Sequence, residues 1–327
     1  MVFRWTLAAG VEGKVLTRLQ RTYSTFADLK PHIFQGLKTS ADKIYIVTVQ
    51  RNRGGLCEVV NGLEQSFSIE PAILKPIVKG ENVQKFGIDP LDSLFIIYPY
   101  TVDSNGRAKL LDQRELSKTY PKTWEYLKDH RKVLGARDAG KWEKRPDWYA
   151  YARSQNIGTF IGPKFLVPYM TTNLRAAFDD DGQLFFVNIT TGGYGCRVQA
   201  SQHHNWFFLA VLNSNLMNYC VRQMTNRFRG GYFAVNKQAL ERLPFRPIDF
   251  KDTADQARHD ELVLLVAQRL DLQKRFATEI NPNDKIRIER EIDATDRTIN
   301  QLVYALYGLT EEEIKVVDSE INTDGLT

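Results

Sequence analysis

The stretch NPNDKIRIEREIDATDRTINQLVYAL, residues 281–306, decides how the chain is built. Ile288, Ile292, Thr295, Ile299, Leu302 and Leu306 follow one another at alternating spacings of four and three residues, which draws a heptad seam along one face of a helix. Just before it, Asn281-Pro282-Asn283 breaks a second amphipathic run. That run spans 255–280, with Leu262, Leu265, Leu272, Phe276 and Ile280 on its apolar stripe and Arg269 interrupting it. Two long helices joined by a short Pro-containing turn fold back antiparallel, seam against seam, as a helical hairpin. Gly308 is placed to cap the second helix, and Thr310-Glu-Glu-Glu-Ile opens a further short one with an N-cap and acidic first-turn residues.

Upstream of the hairpin the pattern is mixed. Runs at 44–49, 94–98, 165–169 and 184–189 are rich in β-branched or aromatic residues and bounded by turn formers, so they read as strands. Asp179-Asp-Asp-Gly182 reads as a hairpin turn. The spacing of Trp206, Leu209, Leu212, Leu216 and Tyr219 predicts one helix over 205–224, and Asn236 caps another that Pro244 stops. No internal repeat is visible. The strands are irregularly spaced and their connections long, which fits neither an even barrel nor an alternating βαβ wrap. The expected class is α+β: a mixed α/β domain over 1–250, with 1–33 as a linker from an upstream domain, then the hairpin and short helix over 251–327.

Composition bounds the function. The 327 residues suffice for two or three domains of roughly 100 to 200 residues each, and 43% hydrophobic with 25% charged residues excludes wholesale disorder. No apolar run reaches the roughly 18 residues of a membrane span. The N-terminus carries no secretory pattern, and Cys57, Cys196 and Cys220 suggest neither a disulfide framework nor a zinc knuckle, so a reducing cytoplasm fits. The net charge of +5 is divided unevenly: residues 251–327 hold 10 Lys and Arg against 17 Asp and Glu, the preceding 250 hold 34 against 22. A basic body of this size suits a polyanion such as nucleic acid.

Several chemistries lack their residues. There is no Gly-x-Gly-x-x-Gly, no phosphate loop ending in Gly-Lys-Ser/Thr, and no Asn-Pro-Pro-aromatic methylation motif. Glu12-Gly-Lys14 has no acid before it and Glu313-Ile-Lys315 falls in the tail helix, so a metal-dependent nuclease site is not assembled. Asp179 to Asp181 read as a turn, His203-His204 as residues that cap or precede a helix, and Thr190-Thr-Gly-Gly-Tyr-Gly195 as a turn whose composition also allows it to sit against a ligand. No catalytic, cofactor or metal residue is assigned.

Two clusters carry positive chemistry. Residues 128–153 hold eight Lys or Arg interleaved with Trp142, Trp148, Tyr149 and Tyr151: either cations for phosphates and rings for sugars or bases, or a solvated basic loop anchored by core aromatics. The second, Arg222 to Tyr232, sets cations beside Gly230-Gly231 and reads either as a nucleic-acid loop or as a bare glycine hairpin.

In order along the chain, "FQGLKTSADKIYIV" from Phe34, "ILKPIVKGENVQKFGI" from Ile73 with "LFIIYPY", "YLKDHRKVLGAR" with "FLVPY", "LNSNLMNY", "RFRGGYFAVNKQALERLPF" and "INQLVYALYGLTEEEI" resemble the target-recognition region of TaqI-like adenine DNA methyltransferases and of single-chain restriction-modification enzymes. The series spans about 34–314. The last two blocks are also similar to a recognition domain with its helical spacer in Type I specificity subunits. The methyltransferase domain of the family is missing.

The resemblance implies a double-stranded-DNA-binding chain that positions a target adenine for a catalytic domain lying upstream in cis or in a partner subunit. S-adenosylmethionine would then belong to that domain, with no cofactor in this chain. Expected phosphate contacts are Lys75, Lys79, Arg137, Lys141, Lys144 and Arg145; expected contacts nearer the bases are Arg197, Arg227, Arg229 and Tyr232. A stand-alone Type I-like specificity subunit, a cryptic Mg²⁺-dependent nuclease and a protein-docking module are the alternatives.

Overall fold

The computed structural model describes residues 11–89, 93–198 and 202–322. Helix α1 (Val11–Thr22) precedes strand β1 (His32–Gln35), and then the meander of β2 (Ile46–Arg53), β3 (Leu56–Asn61) and β4 (Ser66–Ile69). Next come β5 (Leu74–Val78) and β6 (Leu94–Ile97), followed by helices α2 (Gln113–Thr119) and α3 (Pro121–Asp129). Strands β7 (Lys164–Pro168), β8 (Ala177–Asp179), β9 (Phe185–Phe186) and β10 (Gly193–Arg197) follow, then helices α4 (Asn205–Leu212) and α5 (Asn215–Met224). The chain finishes with α6 (Thr253–Thr278), α7 (Pro282–Leu306) and α8 (Glu311–Asn322). The fold is α+β.

Two sheets organise it. The first has the order β9-β5-β6-β2-β3-β4, antiparallel except for the β9–β5 pair; the second has the order β8-β7-β10-β1 and is antiparallel throughout. Every residue of β7 is buried. Its period of two sends Phe165 and Val167 into one hydrophobic core and Leu166 into another. Strand β1 divides in the same way, Ile33 to the first core and Phe34 to the second. The four-stranded sheet is therefore a partition with apolar material on both sides, which is why its central strand β7 reads as an apolar run after Lys164. Glycine makes the partition thin. A Cβ on Gly193 would lie 2.1 Å from the Val167 carbonyl oxygen, and one on Gly195 2.3 Å from the Phe34 ring.

At the start of β7, Lys164 is wholly buried and its Nζ lies 2.5 Å from Asp179 of β8. Asp179 also accepts from the backbone N–H groups of Gly182 and Leu184. The Asp179 to Gly182 turn is present, but it does not close a hairpin: β8 pairs with β7 while β9 joins β5 in the other sheet. The expected strand at 184–189 is only Phe185–Phe186 for the same reason, since the segment crosses between sheets.

The expected helix over 205–224 is two helices. Asn213 turns its side-chain amide to both backbone groups of Ala176, and Ser214 caps α5 by accepting from the Met217 N–H. A tertiary demand thus breaks a helix that the apolar periodicity carries straight through.

The hairpin is as expected, α6 and α7 running antiparallel with Asn281 as the cap of α7 and Pro282 at its first position. Thr310 and Glu313 form a reciprocal capping box for α8. The hairpin does not stand apart from the rest. Leu262 and Val266 of α6, with Val303 and Leu306 of α7, lie in the same core as Phe165, Phe207 and Phe208, so packing runs across residue 250. Arg269, which interrupts the apolar stripe, is buried, pairs with Asp296 at 2.8 Å and sits over the Phe86 ring. Nor are the described residues up to 33 a linker: Val15, Leu16 and Leu19 of α1 are in that core, and Arg18 forks onto Glu313 of α8. An amphipathic helix that finds an apolar wall buries its stripe rather than staying extended.

The junction between body and hairpin is electrostatic. Asp255 accepts from Arg246, Arg258 and the Asp249 N–H, and the Arg246 guanidinium holds its carboxyl down from 3.8 to about 2. Nearby, His203 accepts from the Ile248 N–H, and burial together with His259 pushes its imidazole down from 6.5 to about 4. Both groups have depressed folded-state values, so the stability each contributes is present above its unfolded value and is lost on acidification. Urea midpoints should fall as pH drops from 6.5 to 4 through His203 and again below 3.8 through Asp255; Asp255→Asn should cost about 2 kcal/mol at pH 7 and flatten the second limb.

Candidate nucleic-acid interface

Beyond the end of β5, the chain turns at Lys79-Gly80, and the Gly80 N–H donates to the Thr191 carbonyl at 2.8 Å. Only glycine permits this approach, because a Cβ on residue 80 would lie 2.8 Å from the Gly192 carbonyl oxygen. The contact brings the Thr190–Gly195 turn against the edge of the six-stranded sheet and leaves a cleft of about 630 Å³. Ile46, Ile77, Val78, Leu94 and Val187 form its apolar walls, while Lys79, Arg175, Asn188, Thr190, Thr191 and Tyr232 bring polar groups to it. That size and mixture are those of a ligand site.

Its polar residues are held from behind. Asn188 sits at φ +59°, where a non-glycine residue is strained. Its backbone N–H donates to the Leu37 carbonyl and its side-chain amide to Asp42, whose other carboxylate oxygen takes the Thr39 hydroxyl. Arg175 donates from Nη2 to the Gly80 carbonyl at 3.3 Å, while its Nε is sheltered from solvent and has no acceptor among the described residues. Two further recesses are present. Asp42 and Asn188 also line the next, of about 440 Å³, with Lys38, Lys43, Leu63 and Val133. The backbone at Ala152 and Arg153 hydrogen-bonds to Thr39 and Lys38 and leads to a third, of about 550 Å³, which holds Arg145.

The expected contact residues divide by how their charges are used. Lys79 is exposed at the cleft, 3.3 Å from Glu81, and Tyr232 is 46% exposed on the same cleft. Arg227 and Arg229 are exposed on the loop that leads into Tyr232, where Gly230 and Gly231 take φ +78° and +74°. Arg227 pairs with Glu320 of α8. Lys75 is half-buried on β5, on the same face as Ile77 by the strand period. Lys141 and Lys144 are exposed, and Arg145 pairs with Asp147 at 2.7 Å and lies over the Trp142 ring.

Arg137 and Arg197 are corrections to the sequence reading. Arg137 is 7% exposed between Trp142 and Tyr45, and its guanidinium donates to the carbonyls of Leu134, Thr39, Ala150 and Trp148. It stitches the segment 137–150 to the core and presents no charge outward. Arg197 donates to the carbonyls of Ile161, Gly162 and Pro163 and covers the Phe34 ring, so its fork is likewise occupied. Trp142, Trp148, Tyr149 and Tyr151 are all buried, so the rings of the cluster at 128–153 are core anchors and not surfaces for sugars or bases, while Lys141 and Lys144 stay exposed.

The histidines are structural: His204 accepts from the Trp206 N–H as the cap of α4, and among the described residues no group of His, Cys, Asp or Glu is arranged to hold a metal. No helix of the described residues is long and apolar enough to cross a membrane. Sequence reading missed Arg175 and Asn188. Arg175 stands alone between apolar residues and gives no pattern; Asn188, just ahead of a glycine-rich turn, is the residue type that tolerates positive φ.

Comparison with known families finds that the model for the TaqI-like C-terminal specificity domain matches residues 75–245. No curated protein matches the chain. The matched segment includes Lys79, Arg175, Asn188, Thr190, Thr191 and Tyr232, so most of the cleft falls inside it.

The two arginines of the basic loop should separate in stability measurements. Arg137→Ala leaves four carbonyls without their donor and should cost about 3 kcal/mol or more in urea unfolding, whereas Arg145→Ala, at a solvent-exposed pair, should cost about 1 kcal/mol or less. Equal costs would refute the assignment of Arg137 to the core.

Proposed function

The chain belongs to the TaqI-like C-terminal specificity domain family, and from that membership we propose that it is the DNA target-recognition portion of an adenine-N6 methyltransferase of the restriction-modification type. The observation that carries the reading is the coincidence of the family segment with a cleft surrounded by cations, Lys79 and Arg175 at the cleft and Arg227 and Arg229 on the loop that ends in Tyr232.

Exposed Lys and Arg hold a duplex by its phosphates and fix its register, and side chains on the loops around the cleft read base edges. Lys75, Lys141, Lys144 and Arg145 extend the phosphate-binding surface. Arg227 reaches DNA by exchanging Glu320 for a phosphate or a base edge, an exchange of one acceptor for another.

Bond-making belongs to a catalytic domain, in cis or in a partner subunit, that receives the target adenine once the duplex is seated. S-adenosylmethionine belongs there too. The packing of Gly193 and Gly195, which lie in a paired strand against the Val167 carbonyl and the Phe34 ring, supports placing the cofactor outside this chain.

Selection of bound duplexes from a random pool by the full chain should enrich a defined sequence; recovery of an unenriched pool would sink the recognition reading. Lys79→Ala and Arg229→Ala should each weaken binding to all sequences alike and lower the slope of log affinity against log salt by about one.

A further inference from the structure

A paired duplex offers an apolar recess only thymine methyls and sugar faces, since its base faces stay stacked. The cleft at the end of β5 has such a recess, walled by Ile46, Ile77, Leu94 and Val187. Beside it are a half-exposed tyrosine ring and two cations, one of which, Arg175, carries a sheltered Nε with no acceptor among the described residues. These surroundings suit a ligand with a flat apolar face, a polar edge and an anionic group.

We propose that the cleft takes one unstacked nucleotide, its base against the apolar wall and the Tyr232 ring and its phosphate at Lys79 and Arg175. Base-on-aromatic contact is favourable and tolerant of base identity, because every base has a π-face. The edge of the base meets the hydroxyls of Thr190 and Thr191 and the amide of Asn188, which Asp42 holds in its strained conformation. The acids at the cleft agree with this occupant. Asp42 is already engaged by Thr39 and Asn188, and Glu81, 3.3 Å from Lys79, is the exposed acceptor that a phosphate would displace. This inference rests on the DNA-binding reading for its main source of nucleotide, a strand of the bound duplex.

The test uses the full chain and the duplex enriched in the selection above, prepared either fully paired or with a single unpaired nucleotide at successive positions. Unpairing removes a cost that a protein otherwise bears in extracting a nucleotide, so at one position the unpaired duplex should bind at least tenfold more tightly than the paired one. A 2-aminopurine at that position should change its fluorescence on binding.

Tyr232→Ala and the cleft-filling Thr190→Trp, both at exposed positions, should bring the ratio of the two affinities close to one. Glu81→Gln should raise affinity for the unpaired duplex. Free deoxynucleoside monophosphates form a separate arm: saturable binding blocked by Thr190→Trp, without any preference for the unpaired duplex, keeps the nucleotide site and moves its source to free nucleotide.

A ratio near one at every position, together with no monophosphate binding, overturns the proposal. So does a preference that survives both Tyr232→Ala and Thr190→Trp. Either result leaves the recognition of paired duplex intact, since that stands or falls on enrichment in the pool.

Discussion

Strand β7 is buried on both faces, and the rest of the molecule is arranged around that constraint. Its alternating side chains feed two hydrophobic cores, one shared with α4 to α8 and the other with the six-stranded sheet. Neither core closes without the partition between them, so lobes that look separable along the chain are joined through one layer of backbone. The buried Lys164 to Asp179 pair fixes the edge of that layer. Desolvation lowers the pKa of the Lys164 ammonium, and the Asp179 carboxylate, itself satisfied by two backbone N–H groups, opposes that shift. A pair of this kind specifies geometry more than it adds stability, because removing either partner leaves the other charged in a dry site.

The same partition creates the cleft. Because β10 pairs with β7 while β9 crosses to the other sheet, the turn between them is drawn across the end of β5 and meets Gly80. The strain at Asn188 sits at this crossing, supported by Leu37 and Asp42. Rigid sheets thus set the walls and short loops carry the polar groups, the usual division between scaffold and site.

The hairpin and the N-terminal helix close the structure from the other side. Helix α8 packs between α1 and α5 and places Glu320 on Arg227, so the end of the chain reaches the loop that borders the cleft. Arg269 ties α6 to α7 through Asp296 and to the body through Phe86. What looks like an error in an amphipathic stripe is the point at which the hairpin is keyed to the domain.

The sequence by itself determined the elements whose signal is local. The hairpin, its Pro-containing turn, the caps at Asn236 and Thr310 and the α+β class all follow from periodicity and from side chains that satisfy nearby backbone groups, and such interactions survive in a short window of residues. The ordered blocks of family resemblance were equally legible. Tertiary structure alone decided which charges face outward. Arg137 and Arg145 lie in one basic run, yet one satisfies four carbonyls, that of Thr39 98 residues away in the chain among them, and the other lies on the surface. The break at Asn213, the burial of α1 and the recruitment of Arg175 and Asn188 to one cleft have the same origin. Each depends on a partner more than twenty residues distant, and the free energy of a long-range contact leaves no periodic trace in the sequence that makes it.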